Sequence, residues 1–322
     1  MIAATTPADP AIVSAIQHDL LAWYVQHGRD LPWRRTSDPY RILVAEVMLQ
    51  QTQVERVLPK YAEFLEAFPT LEDLARAPRG EVIRRWVPLG YNRRAVRLHE
   101  IVQQVTEALS GQFPSSIEQL LKLKGVGRYT AGALACFAFR QPVAFLDTNI
   151  RRVLGRCVAG IPFPTPGQDA QLLALAEQAL PRDAAYAWHQ ALMDLGATVC
   201  SRARPACPRC PLREHCQART ALADETLSEG SRMVAEKPPP YRVQPKFVGS
   251  SRYYRGRIVA ALRELLPGQA LSFEELGRRI KPDFASEDAE WLRGLVDGLQ
   301  RDGLIEVKDQ PQEPRARQIR LP

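Results

Sequence analysis

Apolar residues recur at helical spacing through the first 220 residues of the chain. Val13, Ile16 and Leu20, for example, stand three or four positions apart and would share one face of a helix. Proline and glycine interrupt this pattern at short intervals, and no stretch of it alternates apolar and polar residues as a half-buried strand does. We therefore expect a mainly α-helical protein. The predicted helices lie at residues 11–27, 42–68 (two helices that meet at Pro59), 71–77, 79–87, 92–109, 115–123, 129–139, 149–157, 168–180 and 184–195.

The pattern changes after residue 222. Residues 223–245 contain small and acidic residues and then three consecutive prolines, which cannot lie inside a helix and predict an extended linker. Residues 246–322 form a further segment with three helical stretches and two short strands. This order is typical of a winged-helix module, which binds nucleic acid or docks a protein. The three predicted helices lie at 253–265, 272–280 and 286–300, and the strands at 303–309 and 316–322.

The chain carries an excess of positive charge, with a formal net charge of +7 and an isoelectric point of about 9.2. Arginine pairs such as Arg34–Arg35 and Arg93–Arg94 supply much of it, which is typical of a protein that binds a polyanion. No apolar run approaches the roughly 18 residues that a membrane span requires. The N-terminus lacks the pattern of a secretory signal. We expect a cytoplasmic protein without membrane contact.

Four of the six cysteines lie in one basic segment, CSRARPACPRCPLREHC, at residues 200–216. Because thiols stay reduced in the cytoplasm, structural disulfides are not expected. The spacing C-x6-C-x2-C-x5-C contains a single C-x2-C pair, whereas zinc ribbons usually have two. Thiolates bind zinc as well as iron–sulfur clusters, so the residues alone leave both open. The other two, Cys136 and Cys157, are predicted to be buried core thiols.

A glycine turn links two predicted helices in LLKLKGVGRYTAGALACFAF, residues 120–139. Gly125 and Gly127 permit a tight hairpin whose backbone N–H groups, at the start of the second helix, can bind a phosphate oxygen. A glycine turn between helices is common by itself, but basic residues flank this one, including Arg128. The pattern indicates a helix-hairpin-helix, which binds the DNA backbone without reading sequence.

Two carboxylates have a local setting that suits catalysis. Glu46 stands in an apolar helical stretch, where burial favours the protonated form of a carboxyl group and suits a general acid. The alternative is that Glu46 lies on a solvated helix face. Asp147 follows an apolar run and precedes a helix, where it is either the helix N-cap or a carboxylate at the mouth of a cleft.

The motifs LPWR, EVMLQQTQV, LGY, KGVGRYTAGA, FLDTNIRRVLGR and HQALMDLGATVC occur in this order, followed by the cysteine segment. Together they closely resemble the helix-hairpin-helix DNA glycosylases that include endonuclease III, and most of all the adenine DNA glycosylases of the MutY type. The resemblance covers roughly residues 10–220. It implies a two-lobed glycosylase core at residues 1–222, with a [4Fe–4S] cluster bound by Cys200, Cys207, Cys210 and Cys216.

The resemblance also implies a role for particular residues. Glu46 would donate a proton to the departing adenine, Asp147 would stay ionised and stabilise the oxocarbenium-like sugar, and Tyr129 and Asn149 would support that site. Gly125, Gly127 and Arg128 would hold the DNA backbone.

Extrusion of the target base requires further residues, because its glycosidic bond is inaccessible inside the duplex. By the same resemblance, Gln50 would fill the space that the base leaves and Tyr91 would wedge beside the opposite base. Trp33, Arg34 and Gln190 would line the base pocket. The implied partner is double-stranded DNA with a mismatched or damaged pair, bound by a monomer in the cytoplasm at the nucleoid.

Position 129 separates two reaction types within this family. Bifunctional members carry a lysine there, whose amine forms a Schiff base and leads to strand cleavage. Tyr129 implies base excision without strand cleavage, as in the adenine glycosylases and the thymine mismatch glycosylases. By the same resemblance, Glu46 and the stretch LQQTQV favour adenine, opposite 8-oxoguanine or guanine, as the excised base. Excision of thymine or uracil from mismatches is the first alternative, and a DNA damage-binding protein without catalysis is the second.

Two features depart from the family pattern. Thr148 stands where many adenine glycosylases have glycine. In place of the Nudix-like domain by which many of them read 8-oxoguanine, this chain has the winged-helix-like segment. We expect that segment to add DNA contacts through Arg252, Tyr253, Tyr254, Arg255 and Arg257.

Overall fold

A computed structural model describes residues 9–223, 247–310 and 313–322. The predicted linker at 223–245 therefore lies, apart from Ala223, outside the described residues. The structure is mainly α-helical, as the sequence predicts. The helices are α1 (Pro10–His27), α2 (Pro39–Leu49), α3 (Val54–Ala67), α4 (Leu71–Arg76), α5 (Arg79–Arg85), α6 (Arg93–Leu109), α7 (Ile117–Leu120), α8 (Arg128–Phe137), α9 (Thr148–Cys157), α10 (Asp169–Gln178), α11 (Ala185–Thr198), α12 (Arg219–Ala223), α13 (Ser251–Arg263), α14 (Phe273–Ile280) and α15 (Ala289–Arg301).

Local sequence explains where several of these helices begin. At the start of α4, the Thr70 hydroxyl accepts from the Asp73 N–H, while the Asp73 carboxylate accepts from the Thr70 N–H. Ser272 and Glu275 form the same reciprocal pair at α14. Such capping boxes satisfy N–H groups that have no partner inside the helix, so they fix the first turn.

One predicted helix break is wrong. The sequence placed it at Pro59, but Pro59 lies inside α3, and the break falls between α2 and α3 at residues 50–53. Gln51 there has a φ of +55°, in the left-handed region, which ends the helical run. Pro59 lies on the exposed side of α3, in its second turn. A proline there removes one backbone hydrogen bond, and this loss is tolerated.

The chain divides into two compact units. Within the described residues, the first comprises residues 9–42, 114–122 and 126–223. Its central element is α11, which packs against α1, α8 and α9. Trp188, Ala191, Leu192 and Leu195 are all buried. A helix with apolar residues on most sides belongs in a core, which explains the position of α11.

The second unit comprises residues 43–113, 123–125 and the described part of 247–322. Helix α6 packs against α4 and α5, and α3 packs against α5. The C-terminal module adds α13, α14 and α15 and a three-stranded antiparallel sheet in the order β1 (Leu271–Ser272), β3 (Glu313–Arg320), β2 (Glu306–Gln310). Val307 pairs with Ile319 across β2 and β3, and Leu271 pairs with Ile319 across β1 and β3. The sequence did not predict β1, which is only two residues long.

The C-terminal module packs on α5 and α6. Ile83 of α5 and Val96 of α6 belong to the same apolar core as the buried residues of α13–α15. The Gly80 N–H donates to the last carbonyl, that of Pro322, at 2.7 Å, and the Arg84 guanidinium donates to the Arg263 carbonyl. We therefore describe the module as part of the second unit.

No helix in the described part of the chain is both long and apolar enough to cross a membrane.

Candidate active site

Glu46 is buried, with only 4% of its surface exposed. Its helix α2 has the sequence PYRILVAEVML, in which apolar residues lie on every side, and its neighbours Ala45 and Val47 are also buried. The alternative of a solvated helix face is therefore excluded. Burial keeps this carboxyl group away from bulk water, which suits a group that transfers a proton to a bound base.

Arg94, which the sequence marked only as part of the Arg93–Arg94 pair typical of a polyanion binder, is buried and organises the loop after α2. Its guanidinium is buried and donates to the carbonyls of Val47 (3.2 Å), Met48 (2.9 Å) and Gln50. These carbonyls lie at the end of α2 and just after it, where no N–H group of the helix is available to donate to them. Burial lowers the pKa of Arg94 to about 10, so it stays cationic at neutral pH. Arg94 thus fixes the backbone that carries Gln50.

The same arginine holds the loop of Tyr91. It donates to the Leu89 carbonyl at 3.2 Å and the Gly90 carbonyl at 3.1 Å, and its guanidinium carbon lies 5.6 Å from the centre of the Tyr91 ring. Tyr91 is 61% exposed and has a φ of +45°, which is uncommon for a residue with a side chain. A strained backbone that presents an aromatic ring to solvent suits a residue that binds a partner. One guanidinium therefore ties the segments of Gln50 and Tyr91 together.

Asp147 is the N-cap of α9, and its carboxylate accepts from the Ile150 N–H at 2.6 Å and the Asn149 side-chain amide at 2.9 Å. Burial of the carboxyl group raises the pKa of Asp147, although the residue keeps some exposed surface, and these hydrogen bonds and the charge of Arg152 oppose the rise. The carboxylate is thus held in an environment that disfavours its charge. A pKa shifted by burial in this way is frequent for carboxyl groups at functional sites.

Asn149 is itself fixed by two neighbours. Its side-chain oxygen accepts from Arg152 at 2.8 Å, and Arg152 also donates to the carbonyls of Gly196 and Cys200, both at 2.7 Å. A Cβ placed on Gly196 would lie 2.6 Å from the Cβ of Asn149, so only glycine fits there. Arg152 therefore links Asp147, through Asn149, to α11 and to the start of the cysteine segment.

Arg34, a predicted base-pocket residue, is held by a buried carboxylate. Its two terminal nitrogens each donate to Asp194 at 2.7 Å, and Arg29 donates to the same carboxylate through its side chain and its N–H. Asp194 is fully buried; burial alone would raise its pKa, but the hydrogen bonds and charge of Arg34 hold the pKa below its usual value. These bonds make Arg34 a structural anchor for the loop that carries Trp33.

The remaining predicted pocket residues lie on or near α11. Trp33 and Gln190 are 7% and 4% exposed. Tyr129 packs edge-on against Phe145 at 5.7 Å, and Phe145 stacks on His189 of α11 at 4.1 Å. Burial lowers the pKa of His189 to about 4, which keeps that ring neutral at neutral pH.

The helix-hairpin-helix lies where the sequence predicts it. Gly125 has a φ of +101°, and a Cβ there would lie 2.8 Å from the Arg97 side chain. The local backbone therefore requires glycine at this position. A Cβ on Gly127 would meet nothing within 4 Å, although Gly127 is the N-cap of α8. Because Gly127 has no side chain, the space at the N-terminus of α8 stays open. An anion can approach there, next to the exposed Arg128.

Five cysteines line one small pocket: Cys157, Cys200, Cys207, Cys210 and Cys216. Arg156, which is fully buried, shapes its wall by donating to the Ser201 carbonyl at 2.8 Å and the Arg202 carbonyl at 3.0 Å, and it contacts the Cys200 sulfur at 3.4 Å. In the described residues, no three His, Cys, Asp or Glu side chains converge closely enough to hold one metal ion.

The placement of Cys157 differs from the sequence prediction. Cys136 is a buried core thiol, and burial raises its pKa to about 12. Cys157 is buried as well, but it faces the cysteine pocket and hydrogen-bonds with Cys216, which raises the pKa of Cys157 and lowers that of Cys216 to about 7. Cys157 is therefore part of the cysteine pocket. Its position on α9 gave no signal of this at the sequence level.

Several known proteins are similar to this chain. The family model of the HhH-GPD superfamily of base excision DNA repair proteins matches residues 44–177. The adenine DNA glycosylase of Mycobacterium tuberculosis (strain H37Rv) is 43% identical over 251 residues, which cover 76% of this chain and 77% of that protein. The human adenine DNA glycosylase is 43% identical over 229 residues, which cover 68% of this chain and 42% of that protein.

Two solved structures share the fold of this chain. A thermostable thymine-DNA glycosylase superimposes with a TM-score of 0.62 at 30% identity, covering 66% of this chain and 98% of that one. A trapped endonuclease III–DNA covalent intermediate gives a TM-score of 0.56 at 22% identity, covering 65% and 97%, which supports the fold alone. By its sequence relatives and its fold, the chain belongs to the adenine DNA glycosylases of the HhH-GPD superfamily.

Proposed function

We propose that this chain removes adenine mispaired with 8-oxoguanine or guanine by hydrolysing the N-glycosidic bond, in base excision repair. The observation that carries the proposal is the buried Glu46, on a helix whose end and following loop are fixed by Arg94. The relatives named adenine DNA glycosylase support the choice of base.

The proposed reaction divides its work between two carboxyl groups. Glu46 donates a proton to the adenine, directly or through water, so that the base leaves as a neutral molecule. Asp147, whose ionised form is favoured by the hydrogen bonds from Ile150 and Asn149 and by the charge of Arg152, stabilises the positive charge that develops on the sugar. Water then adds its hydroxyl to the sugar carbon and releases a proton, which leaves an abasic site.

Gln50 and Tyr91 act when the base leaves the duplex. Gln50 fills the vacated space and Tyr91 wedges beside the opposite base. Both depend on Arg94, because its guanidinium bonds the Gln50 carbonyl and the carbonyls on the N-terminal side of Tyr91. Trp33 and Gln190 line the pocket that receives the base, with Arg34 anchoring the Trp33 loop.

The partner is double-stranded DNA, bound by a monomer at the nucleoid in the cytoplasm. The backbone N–H groups near Gly125 and Gly127, together with Arg128, take a phosphate, which positions the duplex without reading its sequence. Because the C-terminal module differs from a Nudix-like domain, discrimination between 8-oxoguanine and guanine rests largely on the glycosylase core.

A [4Fe–4S] cluster is the cofactor that we propose for the cysteine pocket, where Cys200, Cys207, Cys210 and Cys216 would hold it. A four-iron cluster is broader than a single ion, so its thiolates are spread around a cavity, as these are, and do not converge on one point. When bound, the cluster would link the four cysteines of residues 200–216 to one another, and base excision needs no redox step. It holds the basic segment at residues 201–213 in position for DNA phosphates.

Protein purified without oxygen is expected to be brown and to contain about four irons per chain. Cys210→Ala should lose most of this iron, whereas Cys136→Ala, a matched change of a buried thiol away from the pocket, should retain it. Metal analysis and the visible absorption spectrum measure both. Stoichiometric zinc with negligible iron in the native protein would contradict the cluster.

A panel of duplexes tests the proposed reaction. With A:8-oxoG, A:G, T:G and U:G pairs, we expect abasic sites, revealed by alkaline cleavage, from the two adenine duplexes. Strand cleavage without alkali and borohydride trapping should both be absent, because Tyr129 cannot form a Schiff base. Faster release of thymine or uracil would assign the activity to mismatched pyrimidines, and binding without any release would indicate a non-catalytic protein.

A further inference from the structure

A pocket of about 660 Å³ opens on the C-terminal module, between α14, the beginning of α15 and β3. Its volume lies within the roughly 300–1,000 Å³ range of small-ligand sites. Its walls carry three arginines and two phenylalanines, which are Arg278, Arg293, Arg317, Phe273 and Phe284.

The pocket is positively charged. One acid, Glu274, lines it and pairs with Arg278 at 3.1 Å, but these side chains are 72% and 69% exposed, so water screens the pair. Arg317 lies 4.0 Å from Asp297, at the outer limit of an ion pair. Arg293 is exposed on α15. Three arginines thus line a cavity together with a single, exposed carboxylate, which favours an anionic ligand.

The aromatic wall is fixed in place. Phe273 and Phe284 are half-buried and pack against the core of the module. A Cβ placed on Gly277 would lie 2.5 Å from the Phe284 ring, so glycine lets α14 and that ring meet closely. A rigid apolar surface beside guanidinium groups suits a ligand with both a phosphate and a sugar or base.

The arginines expected from the sequence to contact DNA are mostly used inside the module. Arg255 pairs with Asp302 at 2.5 Å, and Arg257 donates to the Arg279 carbonyl at 3.2 Å. The Tyr254 ring packs edge-on against Trp291 at 4.7 Å. Within that cluster, Arg252 is an exposed residue. The arginines that line the pocket are therefore better candidates for DNA contact than Arg255 and Arg257.

We infer that this pocket binds a nucleotide unit of the DNA strand, with the phosphate on Arg278, Arg293 and Arg317 and the attached deoxyribose against Phe273 and Phe284. The inference rests on the proposed function only in taking DNA as the ligand. Because the module shares a core with α5 and α6, the pocket is a fixed extension of the second unit. It would lengthen the protein–DNA interface without taking part in the reaction.

The test compares two variants of the full chain that have the same reduction in charge. The pocket variant carries Arg278→Gln, Arg293→Gln and Arg317→Gln, and the control carries Arg279→Gln, Arg301→Gln and Lys308→Gln at exposed basic residues elsewhere on the module. Fluorescence anisotropy with a labelled duplex of about 30 base pairs gives affinity over a range of salt concentrations. Thermal unfolding verifies that both variants fold.

The pocket variant should bind at least about tenfold more weakly at low salt. The slope of log affinity against log salt should become shallower by about one for each phosphate that the variant no longer neutralises. The control should change the slope much less. Equal weakening in both variants, or an unchanged slope in the pocket variant, would overturn the inference.

Single-turnover excision at saturating DNA should be the same in all three proteins, and its absence in the native protein would count against the proposed function and not against the pocket.

Discussion

Glu46→Gln is expected to abolish adenine excision and leave DNA binding nearly unchanged. Glutamine has the shape of glutamate but no proton to donate, and loss of a general acid typically slows a reaction by about 10²- to 10⁴-fold. Affinity should persist because phosphate contacts supply most of the binding free energy. Single-turnover rates on an A:8-oxoG duplex and fluorescence anisotropy measure the two effects separately.

Glu55→Gln is the matched control, since Glu55 is an exposed glutamate in the first turn of the neighbouring α3. It should excise adenine at the native rate. Near-native excision by Glu46→Gln would remove the proton donor from the mechanism. A parallel loss of affinity and thermal stability in that variant would instead show that Glu46 has a structural role.

Asp194→Asn should destabilise the protein by about 3–5 kcal/mol, as expected when one partner of a buried ion pair is removed. The carboxylate is fully buried and receives both terminal nitrogens of Arg34, whose side chain is 8% exposed. Without its charge, the Arg34 guanidinium remains buried beside a neutral amide. Urea unfolding followed by circular dichroism measures the change in the free energy of unfolding.

Asp30→Asn provides the comparison, because the side chains of the Asp30–Arg35 pair are 70% and 66% exposed, so water screens the pair and its loss should change the free energy of unfolding far less. The effect of Asp194→Asn should also depend on pH. Since the pKa of Asp194 is lowered in the folded state, its stabilisation is present above the unfolded-state value of about 3.9 and is lost as pH falls further. A difference between the native protein and Asp194→Asn that stays constant down to pH 2 would contradict the ion pair.

Features with a local cause were predictable from the sequence. The helices α1 and α9 follow apolar spacing and capping residues that lie within a few positions of each other, and α6 follows apolar spacing. The hairpin glycines and the N-cap Asp147 were recognised for the same reason, because the turn and the cap are made by neighbours in the chain. The break assigned to Pro59 failed because a proline near a helix start loses only one hydrogen bond, which the rest of α3 compensates.

The partners of buried charges were not predictable, since they come from distant positions in the chain. Arg94 reaches carbonyls 44 to 47 residues away, and Arg34 reaches Asp194 across 160 residues. Nothing near Arg34 distinguishes an arginine that binds a base from one that anchors a loop. The assignment of Arg255 and Arg257 to DNA contact had the same weakness, because their acceptors, Asp302 and the Arg279 carbonyl, are set by the packing of the module.

The helical class, the order of the motifs and the spacing of the four cysteines follow from the chain alone, because periodicity, turns and short motifs depend on adjacent residues. Three features required the folded protein: the burial of Glu46, the position of Cys157 in the cysteine pocket, and the core that the C-terminal module shares with α5 and α6. Desolvation explains the difference. Whether a polar group is buried, and which group then pairs with it, depends on the surfaces that folding brings together from separate parts of the chain.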